Sequence, residues 1–265
     1  MTRIYEGERP APPHVITEDY VEDVELGIVK TGKEADVYLV ERRAPGRSCL
    51  LAAKRYRAPD HRAFANDAAY RQRRTRRVRD GARVRAATKL RVDRAVEGST
   101  SFGREVKHGA WIEAEFQTLS RLWQVGAPVP YPVERLESGV LMQFIGEDGV
   151  AAPRLQEARV PAGVLTALFE QAVEALRAIA RAGIVHADLS PYNVLVWDER
   201  LVVIDVPQAV PYLDNTEATG FLHRDVTNLV GWFRRRGLDV DPEEVFVTVL
   251  NDLFDYRMED MFFAH

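Results

Sequence analysis

The chain has 265 residues, 46% hydrophobic and 29% charged, with a net charge of −4; this is room for one large domain or two lobes sharing a cleft, in the composition of an ordinary folded protein. A single cysteine, Cys49, excludes an intramolecular disulfide and fits a reducing, cytoplasmic setting. The first residues lack the apolar core of a signal peptide, no apolar run approaches the ~18 residues of a membrane span, and no Cys/His cluster has zinc spacing.

In chain order, residues 1–20 are polar, carry Pro10, Pro12 and Pro13, and read as a loosely held tail. Val24 to Val40 alternates in character and breaks at Thr31-Gly32-Lys33-Glu34, which predicts two strands and a tight turn. A third strand follows the Pro45-Gly46 turn, over Leu50 to Tyr56. Residues 54–94 then hold fifteen Lys or Arg against four Asp, a local charge of +11 with thin apolar content, so this segment reads as a partly helical, mobile basic insertion. Ser99 to Gly103 looks like a loop. A helical period runs from Trp111 to Trp123 and stops at Gly126 and Pro128. Val140 to Ile145 reads as a buried strand, and Gly146-Glu147-Asp148-Gly149 as the boundary between lobes. The clearest helix opens at Pro161, with its apolar face on Leu165, Leu168, Ala172, Leu176 and Ile179 and a Gly183 cap. A hairpin, Val194–Trp197 with Leu201–Ile204, turns at Asp198-Glu199-Arg200. Helices are expected over Asp225 to Arg236 and Pro242 to Asp255.

The chemistry concentrates between His186 and Asp205. Asp188 is followed five residues later by Asn193, and Asp205 comes directly after the strand ending in Ile204. This is the layout of a phosphotransferase site: one carboxylate to meet the accepting hydroxyl, and two oxygen ligands suited to Mg2+ on a nucleotide's phosphates. Asp188, Ser190 and Asn193 are also ordinary turn formers, but the whole arrangement argues against that reading. His186 is expected to brace the loop rather than act as a base.

His186-Ala187-Asp188-Leu189-Ser190-Pro191-Tyr192-Asn193 and Ile204-Asp205-Val206-Pro207-Gln208 resemble the RIO family of atypical kinases, type-one subfamily. Thr31-Gly32-Lys33-Glu34-Ala35-Asp36-Val37-Tyr38 is similar to that family's phosphate loop, Met142 to Gly149 with Ala152-Pro153-Arg154-Leu155 to its hinge, and Phe221 to Asp225 to a segment after the metal loop. The resemblance spans residue 24 to the C-terminus. It implies an α+β, two-lobed protein-kinase-like fold: an N-lobe of antiparallel sheet plus helix (21–146, with a basic mobile insertion at about 57–110), and a compact, mainly helical C-lobe (147–265) without a long activation loop or peptide-binding helices. It further implies Asp188 as the catalytic aspartate, Asn193 and Asp205 as metal ligands, Lys54 on the α- and β-phosphates, and Glu115 as the partner of Lys54, with Glu113 as second choice. Thr31, Gly32, Lys33 and Glu34 would cover the phosphates. Met142 would back the adenine site, with backbone groups of Gln143 and Ile145 on the base edge. The single glycine of the phosphate loop is offset by the hydroxyl of Thr31 and the ammonium of Lys33.

The activity implied is that of an ATP- and Mg2+-dependent (or Mn2+-dependent) serine/threonine kinase, autophosphorylating or ATPase-like, with relatives acting in small-subunit ribosome maturation. Ser99 and Ser101 are the candidate self-phosphorylation sites, and the basic segment 55–94 a candidate surface for RNA or a ribosomal particle. Lys30, Pro191, Pro207, Ala209 and Gln143 depart from the family's commoner residues, and none removes a catalytic group. Two other readings use the same residues: a small-molecule, aminoglycoside-type phosphotransferase, which usually has a larger helical region than the sixty residues after Asp205, and an ATP-regulated RNA-binding module.

Overall fold

The computed structural model describes residues 9–57 and 101–263 of the chain. β1 (Glu22–Thr31), β2 (Ala35–Ala44) and β3 (Arg47–Tyr56) form consecutive antiparallel hairpins, and β4 (Pro132–Arg135) and β5 (Gly139–Gln143) complete a five-stranded sheet of order β1-β2-β3-β5-β4. Side-chain alternation gives the sheet two apolar faces. Val40, Leu51, Ala53 and Leu141 pack on one, while Leu39, Ala52 and Phe144 cluster on the other. Gly139 is required where β5 meets β3: a Cβ there would lie 1.8 Å from the Lys54 carbonyl oxygen.

Helix α1 (Ser101–Gln124) packs beside this sheet through Ile112, Leu119 and Leu122, which join one continuous core with the second lobe. Between the lobes lie two short strands, β6 (Gly146–Glu147) and β7 (Val150–Ala151). The second lobe opens with α2 (Ala162–Arg181), whose buried Leu165, Leu168, Ala172, Leu176 and Ile179 follow the helical period. After it come β8 (Ile184–Val185), a 3-10 turn (Pro191–Asn193), the hairpin β9 (Val194–Trp197) and β10 (Arg200–Val203), and β11 (Val210–Pro211), which pairs with β8. Asp198 and Glu199 both take positive φ, 49° and 56°, as a two-residue hairpin turn requires. Helices α3 (Ala218–Arg234) and α4 (Pro242–Phe263) close the lobe over Trp232 and Phe233.

Four expectations change. Helix α1 begins ten residues before Trp111, so Ser101 to Gly103 are helical rather than a loop, and residues 101–110 belong to this helix rather than to an insertion. Gly103 and Gly109 weaken the local helical preference and hide the start. Residues 9–16 are not a loose tail. Val15 and Ile16 are buried, the Arg9 guanidinium sits 3.9 Å from the centre of the Trp123 ring, and the Ile16 N–H donates to Cys49 Sγ at 3.4 Å. Strand β4 was not anticipated, because its four residues start on a proline. Helix α3 starts seven residues earlier than expected and α4 runs eight residues further. Ser99 and the segment 58–94 lie outside the described residues, and of the basic stretch only Lys54 to Arg57 is described. No helix among the described residues is long and apolar enough to cross a membrane.

Candidate active site

A cavity of about 980 Å³ runs between the sheet and the second lobe. Its lining includes the apolar Ala52, Met142, Ile145 and Leu195 and the charged Lys30, Lys33, Lys54, Arg154, Asp188 and Asp205.

Lys54 reaches the cavity from β3, where pairing with Val37 and Val140 on either side fixes its backbone. Its ammonium donates to Glu115 Oε1 at 2.7 Å and to Asp205 Oδ1 at 2.6 Å. Burial alone would depress its pKa, but Asp205 and Glu115 outweigh it and hold the group well above the ordinary lysine range. Glu115 is 2% exposed on the inner face of α1 and takes a second, short hydrogen bond from the Tyr56 hydroxyl. Glu113 points elsewhere, to Arg135 at 3.2 Å and Gln117 at 2.6 Å. The positive charge of Lys54 holds Asp205 below the usual carboxylate range.

Opposite lies the loop from His186 to Asn193. Asn193 donates its Nδ2 to the Asp188 carbonyl at 2.8 Å and to Asp188 Oδ2 at 3.2 Å. This fixes the carboxylate and leaves the Asn193 Oδ1 as the oxygen available to a cation. His186 is buried, its Nε2 lies 3.2 Å from the Ile204 carbonyl, and its Nδ1 accepts from the Asp188 N–H at 3.3 Å. That pairing assigns the proton to Nε2, and burial pushes the imidazole pKa down, so the ring is a neutral brace between the Asp188 loop and the segment leading to Asp205.

Asp225 was not singled out by sequence reasoning, yet it organises this loop. From α3, fully buried, it accepts the Ala187 N–H at 2.7 Å and the Leu189 N–H at 2.9 Å. Arg224 next to it donates to the Ala187 carbonyl. Ala187 sits at φ 65°, a left-handed conformation costly for a residue with a Cβ, and these contacts from α3 hold it there. Burial raises the Asp225 carboxyl to about 7, against the opposing pull of its two amide donors. The signal that could have found it is the Arg-Asp pair within the segment noted at Phe221 to Asp225.

The phosphate-loop residues divide. Gly32, Lys33 and Glu34 line the cavity roof, but Thr31 does not; its register partner Asp36, at the end of the β1–β2 ladder, receives the Arg57 guanidinium at 2.8 and 3.2 Å. At the hinge, the Gln143 N–H is taken by the Tyr131 carbonyl at 2.8 Å, so Gln143 has only its carbonyl to offer a base. The Ile145 carbonyl accepts from Ala152, while the Ile145 N–H has no partner among the described residues.

Two lobes joined by a hinge, with a strand lysine held by a helix glutamate above an Asp–Asn loop, have the layout of the protein-kinase fold. A model of the RIO domain matches residues 36–245, and the chain belongs to that family. It is 39% identical over 143 residues to the RIO-type serine/threonine-protein kinase Rio1 of Haloferax volcanii, covering 54% of this chain and 48% of that one. It is 34% identical over 183 residues to the serine/threonine-protein kinase rio1 of Dictyostelium discoideum, covering 64% and 32%. With the Rio1 kinase of Thermoplasma acidophilum it shares 31% over 135 residues, 51% and 69%. The match thus spans about half or less of the first two relatives.

Proposed function

We propose that this chain is an ATP-dependent serine/threonine protein kinase of the RIO type, working with Mg2+ or Mn2+ in the cytoplasm and transferring phosphate to itself or to a protein serine. The observation that carries the reading is the triangle of Lys54 with Glu115 and Asp205, set across the cleft from the Asp188–Asn193 pair.

The roles follow from the atoms. Asp188 Oδ2 is engaged by Asn193, so Oδ1 is left to receive the proton of an acceptor hydroxyl and orient its oxygen for in-line attack on the terminal phosphorus. The bond from that phosphorus to its bridging oxygen breaks as the new one forms, and the nucleoside diphosphate leaves. Lys54 carries positive charge at the α- and β-phosphates, and the Ile145 N–H and Gln143 carbonyl face the base edge. Asn193 Oδ1 and the Asp205 carboxylate are hard oxygen donors and fit Mg2+, which takes one or two such ligands and completes its shell with water and phosphate. Among the described residues no cluster of three His, Cys, Asp or Glu forms a self-sufficient metal cage, consistent with an ion that arrives on the nucleotide. When bound, the ion neutralises charge on the phosphate oxygens.

For the basic stretch 55–94 the partner we propose is RNA or a ribosomal particle. Composition supports this: residues 54–94 carry a net charge of +11.

The test is labelled ATP with wild type and Asp188→Ala side by side. Label is expected on the protein or on a serine substrate with wild type and reduced at least ~100-fold in the variant, with ATP affinity kept within a few-fold. Equal labelling by both proteins, or robust turnover of aminoglycosides, overturns the reading.

A further inference from the structure

The phosphate tail of a nucleotide needs cations, and the most obvious one is already engaged. Lys54 is held by two carboxylates at 2.7 and 2.6 Å. The phosphate loop has one glycine, and its Thr31 is not on the cavity lining. Arg154, by contrast, lines the cavity and forms no ion pair among the described residues.

Arg154 is also rigidly mounted. Residues 153–155 run along β9 as an added strand: the Leu155 N–H donates to the Val194 carbonyl at 2.7 Å, the Val196 N–H to the Pro153 carbonyl at 2.9 Å, and Arg154 bridges to Leu195. Leu155 is fully buried, so alternation turns Arg154 to the opposite, cavity side. The Arg154 carbonyl closes the following turn, accepting from Glu157 and Ala158 at 2.8 Å each.

Across the cleft stands Lys30, on β1, also on the cavity lining and also without an ion pair among the described residues. The two cations feel each other. Lys30 is depressed first by burial and next by Arg154, against weaker opposing pulls from Glu157 and Asp205. A roof lysine facing a floor arginine, beside the carboxylate assigned to the metal, is an unfavourable pair that a polyanion between them relieves.

We propose that Arg154, with Lys30 opposite, clamps the phosphate tail of the nucleotide, its guanidinium bonding non-bridging phosphate oxygens from the floor of the cleft. The fork of a guanidinium matches two phosphate oxygens at once, which a lysine at the same place does not. This rests on the ATP reading above, and it makes the tail, rather than the base, the part of the ligand that this chain grips from both lobes.

The experiment measures the dissociation constants of ATP, ADP and adenosine by calorimetry, with Mg2+ present, for the full chain and for Arg154→Leu, Arg154→Lys and Lys30→Ser. Arg154→Leu is expected to weaken ATP about 10-fold or more while changing adenosine less than about 2-fold, with ADP between, Arg154→Lys recovering part of the loss and Lys30→Ser showing a smaller loss of the same pattern. Retained adenosine binding shows that the variant is folded. Parallel loss of ATP and adenosine makes Arg154 a structural residue and overturns the clamp. An unchanged ATP-to-adenosine ratio also overturns it while leaving the ATP reading intact, whereas a wild type that binds none of the three ligands removes both.

Discussion

Lys54 Nζ lies 2.7 Å from Glu115 Oε1 and 2.6 Å from Asp205 Oδ1, so a single ammonium ties the sheet to α1 and to the loop after β10. Side-chain exposures of 13% for Lys54 and 2% for Glu115 put this pair in a setting where one partner cannot be removed without stranding the other.

A double-mutant cycle over Lys54→Met and Glu115→Gln tests that coupling. Each single change is expected to lower phosphotransfer at least ~100-fold and to destabilise by about 2–4 kcal/mol, because Met conserves volume but leaves the Glu115 carboxylate buried with only the Tyr56 hydroxyl. The two changes together should fall short of the sum by about 1–3 kcal/mol in urea unfolding. Additivity within ~0.3 kcal/mol would falsify a direct pair.

The N-terminal strap gives a prediction that separates packing from exposure. Ile16 is 1% exposed, whereas Tyr20, four residues on, is 92% exposed. Ile16→Ala should cost about 2–4 kcal/mol and Tyr20→Ala less than ~0.5 kcal/mol, read as shifts of the denaturation midpoint at constant slope. Equal, small effects would mean that residues 9–16 do not stay docked in solution.

What could be read from the chain, and what could not, divides by the range of the interaction. Asp188, Asn193 and Asp205 were legible because the loop and hairpin that carry them impose short spacings, and the strands and α2 because their periods are local. Glu115 was legible only as one of two glutamates on a helix; the choice over Glu113 is made by Lys54, 61 residues away. Asp225 was missed because its partners, Ala187 and Leu189, lie 38 and 36 residues upstream, and no pattern in a helix marks a residue that holds a distant loop. The strap at residues 9–16 has neither helical nor strand period, so its burial follows only from the Trp123 and Cys49 it meets. Thr31 was read as a phosphate donor from its place in the loop; it pairs with Asp36 at the end of the β1–β2 ladder and is not among the residues lining the cavity.

Gly139 tests how closely β3 and β5 must approach. A Cβ would meet the Lys54 carbonyl oxygen at 1.8 Å and the Arg55 Cα at 2.9 Å, both backbone atoms that cannot swing aside. Gly139→Ala is expected to move β5 away from β3, destabilise by more than ~2 kcal/mol and reduce activity by displacing Lys54. Gly109→Ala, where a Cβ meets nothing within 4 Å on a helix, should be neutral or stabilising by up to ~1 kcal/mol. The pair is compared by thermal melting; a Gly139→Ala protein with wild-type melting and activity would sink the argument.

The last prediction concerns Asp225 and pH. Its carboxyl stands at about 7 in the folded chain, above the ordinary 3.8 expected once unfolded. Between those values the folded state holds a proton that the unfolded state releases, so folding takes up a proton across this window. The Asp225 contribution to stability is therefore full below about pH 4 and is lost progressively as pH rises toward 7. Asp225→Asn removes the titration and should flatten that slope when unfolding free energy is measured from pH 4.5 to 7.5. At pH 4.5 it should cost about 1–3 kcal/mol, because Asn can accept from one of the Ala187 and Leu189 amides but presents a donor to the other, and this cost should shrink as pH rises toward 7 and the wild type loses its own contribution. Ala187, at φ 65°, would then lose one of the contacts that keep it in the left-handed region, and Asp188 would shift with it. The expected kinetic signature is a drop in kcat with KM for ATP nearly unchanged, since Asp225 acts through the loop and not on the nucleotide. A variant with the wild-type pH slope would show that another group carries the titration, and one with wild-type kcat would show that α3 does not hold the catalytic loop in place.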